Sequence, residues 1–321
     1  MTDRLRAASF ALATVVAAAV AASGCGSGGG PKAPDGGTGG AGSGGAGGGG
    51  EGGAAAPDAA LDATPDAALD GPGGSLMRTG GFSPGRGNLC GLGYDYTTRT
   101  VWIYPCSGAS LLAYAPDGTP GATISRPGES ADDVDIDVAP AALALGTTPI
   151  AAGTLLFVNG ETGTVDVHAV DPAAAMTPLA TLATQFGVSH VVGGAFHLGR
   201  STFFAVQDRV PGAPAANTVG EIDPASGAVI ATFSLLPNFD VNYGDIDVCQ
   251  STGQLFVVSD SADSIAELTP AGVFVRAHPL PADVSGLSGI GIDDDISGDA
   301  WVSSRGGAVS RLGGFPCPPL P

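Results

Sequence analysis

The sequence predicts an all-β repeat fold behind a long low-complexity leader. Three observations carry that expectation. From residue 76 onward, short apolar runs alternate with turns rich in Gly, Asp, Pro and Thr, the pattern of short strands at close spacing. No stretch keeps a helical period through three turns. A unit of strand, turn and more apolar second strand recurs five times, and regular recurrence is the signature of a repeat architecture.

The first 24 residues read as a signal segment. Arg4 and Arg6 form a short basic stretch diluted by Asp3, and residues 7–22 are apolar and mostly alanine. That run falls short of the roughly 20 apolar residues that cross a bilayer. Small residues close it, as signal cleavage requires. Ala22, Ser23, Gly24 and Cys25 end the run. The arrangement resembles the signal and lipobox of bacterial lipoproteins, with Ala22 where leucine is usual. The resemblance implies a lipid on Cys25 and a membrane anchor in the cell envelope. Gly26 after the cysteine is similar to outer-membrane sorting signals. Signal cleavage near Ala22 without lipid, and an uncleaved anchor, are the alternatives.

Residues 25–75 are dominated by Gly, Ala, Pro and Asp. So little apolar surface cannot offset the entropy of ordering the chain, and a disordered tether is expected. A short duplication, 57–64 then 65–70, spaces aspartates and prolines along it without the residue order of an EF-hand calcium loop. About 45–50 such residues reach roughly 35–42 Å.

The repeats fill residues 76–321. Counted from Leu92, Ile136, Gly194, Ile246 and Ile290, they step by 44, 58, 52 and 44 residues. A four-stranded propeller blade takes about 40–50 residues. Insertions at 139–153 and 210–217 account for the long steps. Apolar second strands fall at 101–104, 155–158, 203–206, 255–258 and 301–302. Third strands follow at 111–114, 165–168, 219–222, 264–267 and 308–310, and fourth strands at 122–124, 179–182, 229–232 and 274–276. The fifth unit has no fourth strand of its own, and residues 76–84 are expected to supply it and close the ring. The prediction is a five-bladed β-propeller; a six-bladed ring with one degenerate blade is the alternative, and a β-sandwich a weaker one. Turns such as Pro116, Asp117, Gly118 and Thr162, Gly163, with first strands of Gly-x-Gly-Φ-Asp type, resemble the NHL, YVTN and SdiA-regulated propeller families over residues 88–314. The resemblance implies the fold and leaves function open.

Beyond Cys25, the cysteines are Cys90, Cys106, Cys249 and Cys317. An even number in an exported chain suits two disulfides, with three possible connectivities. Cys90 and Cys106 flank the first hairpin turn symmetrically, so they are the favoured pair, which leaves Cys249 with Cys317. No CxxC occurs, which speaks against a zinc knuckle or redox dithiol.

Charge excludes one class of partner. The chain carries 12 Lys+Arg against 31 Asp+Glu, a net charge of -19, and nucleic acid needs clustered cations. The first strand of each unit is expected nearest the propeller axis. There Gly91 and Gly93, and Gly289 and Gly291, leave room for crowded strands. Asp135 and Asp137, and Asp245 and Asp247, occupy the matched positions in units two and four, with Asp133 just before. Converging carboxylates repel unless a cation or water separates them, and calcium takes six to eight oxygens. These four are therefore the candidate Ca2+ ligands. The alternative is a hydrated channel whose aspartates bond neighbouring backbone. Asp137, Asp247 and Asn242 imitate the ligand set of a regucalcin-like lactonase. His197 is the histidine expected nearest the axis; His168, His190 and His278 show no metal-ligand spacing, and no Gly-x-Ser-x-Gly elbow occurs. The reading is an envelope lipoprotein that presents a propeller to a protein or glycan. The alternative is a cation-dependent hydrolase, lactonase- or phosphoesterase-like, with an acidic site at the channel.

Overall fold

The computed structural model describes residues 75–106, 108–125, 133–160, 165–173, 178–187, 189–209, 217–294 and 296–320. The signal segment, Cys25, almost all of the tether, the Thr162, Gly163 turn and most of the 210–217 insertion lie outside the described residues.

The chain folds as a five-bladed β-propeller. Strand β1 (Met77–Phe82) comes first. Blade one then runs outward through β2 (Leu89–Asp95), β3 (Thr100–Pro105), β4 (Ser110–Tyr114) and β5 (Pro120–Ser125). Blade two begins with β6 (Val134–Val138). The expected insertion forms its own hairpin, β7 (Leu143–Leu145) and β8 (Thr148–Ile150), before β9 (Leu155–Asn159), β10 (Asp166–Val170) and β11 (Ala180–Ala183) complete the blade. Blade three is β12 (Val191–His197), β13 (Thr202–Gln207), β14 (Thr218–Ile222) and β15 (Val229–Ser234). Blade four is β16 (Asp245–Val248), β17 (Leu255–Val258), β18 (Ser264–Leu268) and β19 (Phe274–Pro279). Blade five has β20 (Leu287–Ile292), β21 (Ala300–Ser304) and β22 (Val309–Gly313), and β1 is its outer strand. The ring closes as the sequence predicts: β1 pairs antiparallel with β22 from Met77↔Gly313 to Phe82↔Val309.

The core lies between blades rather than inside one. Five buried clusters fill the five blade interfaces. The second strands show why the sequence runs continuously apolar there. Successive side chains of a strand point to opposite faces, and both faces of these sheets are covered. On β9, Leu156 and Val158 pack toward blade three while Leu155 and Phe157 pack toward blade one. On β13, Phe203 and Ala205 face blade two while Phe204 and Val206 face blade four. Burying one such side chain stabilises by about 1.5–3 kcal/mol. The outer strands β5, β15 and β19 are largely exposed and carry Thr, Pro and Arg, which blunts their free edges.

Both expected disulfides form. Cys90–Cys106 spans the first hairpin with Cα atoms 5.0 Å apart. Cys249–Cys317 ties the C-terminal tail to blade four with Cα atoms 5.7 Å apart.

Candidate functional site along the propeller axis

The inner strands β2, β6, β12, β16 and β20 surround the axis in chain order. Their registers align two tiers of residues: Gly91, Asp135, Gly193, Asp245 and Gly289, then Gly93, Asp137, Ala195, Asp247 and Gly291. Small residues thus separate the aspartates around the ring. A Cβ on Gly91 would lie 2.6 Å from Asp135 Oδ1, and one on Gly193 would lie 2.2 Å from Asp245 Oδ1. A side chain at either glycine would collide with the neighbouring aspartate.

The aspartates converge, and neighbouring backbone takes them up. An inner strand has a sheet partner on one side only, so its other N–H groups need acceptors. Asp245 Oδ2 accepts from Ile290 N at 2.8 Å and Asp247 Oδ2 from Ile292 N at 2.7 Å. These bonds clamp blade four to blade five. Asp135 Oδ2 accepts from Gly194 N at 3.2 Å, and Asp137 from Phe196 N, clamping blade two to blade three. Burial drives all four carboxyls upward: Asp135 and Asp247 to about 7, Asp137 and Asp245 well above the usual carboxylate range. The facing carboxyls add to this, Asp247 against Asp137 and Asp135 against Asp245. Besides Gly194 N, the backbone amides of Ile136 and Leu92 act on Asp135, and Asp135 and Asp245 share a side-chain hydrogen bond. That bond requires a proton on one of the pair. A cation among these groups would have to displace backbone donors already in place.

At the C-terminal ends of the inner strands the channel opens into a cavity of about 20 Å³ beside Asp137, Asp247, Asp294, Tyr94 and Gln250, room for about one water. Burial, then the charge of Asp247, pushes Asp294 up to about 8. Burial, then Asp293, pushes the Tyr94 hydroxyl up to about 12. His197 ends β12 near this mouth, but it is buried against Phe204 and accepts from Arg200 N at 3.3 Å. Burial lowers its pKa.

The opposite mouth holds a constellation that sequence reasoning missed. His190 Nδ1 lies 3.2 Å from Asp208 Oδ1 and 3.3 Å from Asp133 Oδ2. Asp133, which the sequence grouped with the channel aspartates, lies with His190 and Asp208 at this mouth. Asp208 Oδ2 accepts from Tyr243 N at 2.9 Å, and the Arg305 guanidinium sits 3.8 Å over the Tyr243 ring. The chain turns into four of the inner strands through a left-handed residue: Asn88 (φ 58°), His190 (57°), Tyr243 (47°) and Gly286 (64°). Side chains rarely adopt that region, so His190 and Tyr243, standing where blades one and five have Asn88 and Gly286, were a signal available only once the blades were aligned. Asn242 donates to Asp260 at this mouth, 2.7 Å away, at the other end of β16 from Asp247. The set Asp137, Asp247 and Asn242 does not come together. The remaining histidines are structural: His168 bonds Thr181 at 2.9 Å, and His278 bonds Glu267 at 2.7 Å beside Arg276.

A groove of about 600 Å³ opens on the rim between blades one and two, lined by Thr98, Trp102, Tyr114, Gly121, Gly153 and Asp171 among others. Its size falls in the usual range of ligand pockets.

No protein-family model matches the chain, and no curated protein matches it in sequence. By structure it is similar to the glutaminyl cyclase of Myxococcus xanthus, with a TM-score of 0.52 and 10% identity over 74% of this chain and 95% of that one. It is also similar to a gluconolactonase from Xanthomonas campestris, with a TM-score of 0.47 and 14% identity over 77% of this chain and 89% of that one. At such identity the first likeness speaks for the β-propeller fold alone.

Proposed function

We propose that this chain is an exported envelope lipoprotein, held by lipid on Cys25, whose propeller serves as a binding module for a protein or glycan. The observation that carries the reading is the contrast between a filled axis and an open rim. The channel aspartates are consumed in clamping blades, and the cavity beside them has about 20 Å³. No organic substrate enters such a space. The rim groove between blades one and two has about 600 Å³. This contrast sets binding ahead of hydrolysis at the channel. The two disulfides support export, because such bonds persist in oxidising compartments.

Two measurements test the reading. Cys25→Ser should release the protein from membrane to soluble fractions; continued membrane association would remove the lipid anchor from the proposal. Ala122 lies exposed on the groove wall, so Ala122→Arg should fill the groove and abolish binding on a panel of envelope glycans and proteins. A ligand bound equally by this variant would place the binding surface elsewhere.

A further inference from the structure

We propose that Asp133, His190 and Asp208 hold a divalent transition-metal ion of the zinc class at the mouth of the channel where the inner strands begin. Three ligand atoms, one from each residue, lie within 4.8 Å of one another. The His190 Nδ1 to carboxylate distances are 3.2 and 3.3 Å. Metal–ligand bonds of 2.0–2.2 Å in a tetrahedral zinc site put neighbouring ligand atoms roughly 3.3–3.6 Å apart. The two distances from His190 Nδ1 already stand close to that spacing, and the ligand oxygens of Asp133 and Asp208 lie within 4.8 Å of each other.

Proton counting points the same way. One imidazole nitrogen carries at most one proton, yet two carboxylates converge on His190 Nδ1. The residues Asp133 and Asp208 are only 4% and 2% exposed, so solvent does little to screen their charges. A dication at this point would face the nitrogen lone pair and both carboxylates at once. Imidazole among the ligands selects zinc, nickel or copper over calcium and magnesium. Supporting bonds hold the ligands in place: Tyr243 N donates to the second oxygen of Asp208, and Asp208 N donates to His190 O at 2.9 Å. The His190 side chain is 32% exposed, which leaves a coordination position open toward solvent, as three-ligand zinc sites do. This site is separate from the channel aspartates, and it depends on neither the lipid anchor nor the rim groove.

The test is a Co2+ and Zn2+ titration of the chelator-stripped, full-length protein. The expected result is one Co2+ per chain with visible absorption bands of a low-symmetry, four-coordinate ion, displaced by Zn2+, and a rise in the unfolding temperature with either metal. His190→Asn should lose the bands and the thermal shift; asparagine tolerates the left-handed backbone at this position, so the loop is kept. Asp208→Asn should lose them too, and if that variant does not fold, His190→Asn decides alone. Asp247→Asn on the axis should bind Co2+ as the wild type does. The proposal falls if the wild type binds neither metal, if His190→Asn binds unchanged, or if Asp247→Asn abolishes binding.

Discussion

Asp135 on β6 and Asp245 on β16 meet across the propeller axis and share a hydrogen bond, carboxyl to carboxyl. Each also accepts a backbone N–H from the next blade, Asp135 from Gly194 and Asp245 from Ile290. The pair is therefore part of the joint between blades, and its protonation state is part of the fold's stability.

The pH dependence follows from that joint. Asp135 and Asp247 are raised from 3.8 to about 7, and Asp294 to about 8. The folded state holds these protons more tightly than the unfolded chain. Their contribution is fully present below about pH 4 and is lost as pH rises through 7 and 8. Chemical denaturation should show the protein more stable at pH 5 than at pH 8.5. Asp245→Asn should narrow the gap, because it removes one raised carboxyl while the amide can still accept from Ile290 N and donate to Asp135. Equal stability at the two pH values in the wild type would refute this.

The glycines of the axis should be intolerant where they abut an aspartate. A Cβ on Gly193 would sit 2.2 Å from Asp245 Oδ1 and 2.6 Å from Asp245 Cα. Gly193→Ala should cost about 1–3 kcal/mol as an overpacked core substitution. Gly87→Ala, where nothing lies within 4 Å, should stay within about 0.5 kcal/mol of wild type. Urea unfolding of both variants checks the contrast, and a neutral Gly193→Ala would contradict the tight axis.

The two disulfides should differ in weight. Loop closure in the unfolded chain costs more entropy for longer loops. Replacing Cys249 and Cys317 by serine opens a separation of 68 residues and should cost about 4 kcal/mol. Replacing Cys90 and Cys106 opens one of 16 residues and should cost about 3 kcal/mol. Guanidinium unfolding of each double variant reads the order, and the reverse order would show that native contacts around the bridges dominate.

Removing β1 should open an edge. A chain that starts at Ser83 leaves β22 without its outer partner, and unpaired strand edges recruit other chains. Lower thermal stability and self-association on gel filtration are expected. A synthetic peptide of residues 75–84 should restore the monomer by adding the missing strand. A truncated chain as stable and monomeric as the wild type would mean that closure contributes nothing.

The blades were legible because their signal is periodic. Apolar second strands such as 155–158 and 203–206 repeat at blade spacing, and each packs between two sheets. The alternation of Gly91 with Asp135 was readable for the same reason. The 139–153 insertion was visible as extra length, but its β7–β8 pairing was not. The His190 cluster was not legible. Asp133, His190 and Asp208 come from two blades: Asp133 and His190 just before the inner strands β6 and β12, and Asp208 after β13. No single repeat carries the pattern. His197 drew attention by its place on a first strand, yet it faces an aromatic neighbour.

The two ends of the described chain are fastened close to each other in the ring. β1 is zipped onto β22. The tail that follows β22 is held by the Cys249–Cys317 bridge and by Leu320 N donating to Asp294 O. A pull on the N-terminal side enters the propeller at Met77, opposite Gly313, and would act first on the one blade assembled from both ends of the sequence. Mechanical tension and proteolytic trimming before Ser83 should thus have the same consequence: they would unfasten blade five while blades one to four keep all their own strands.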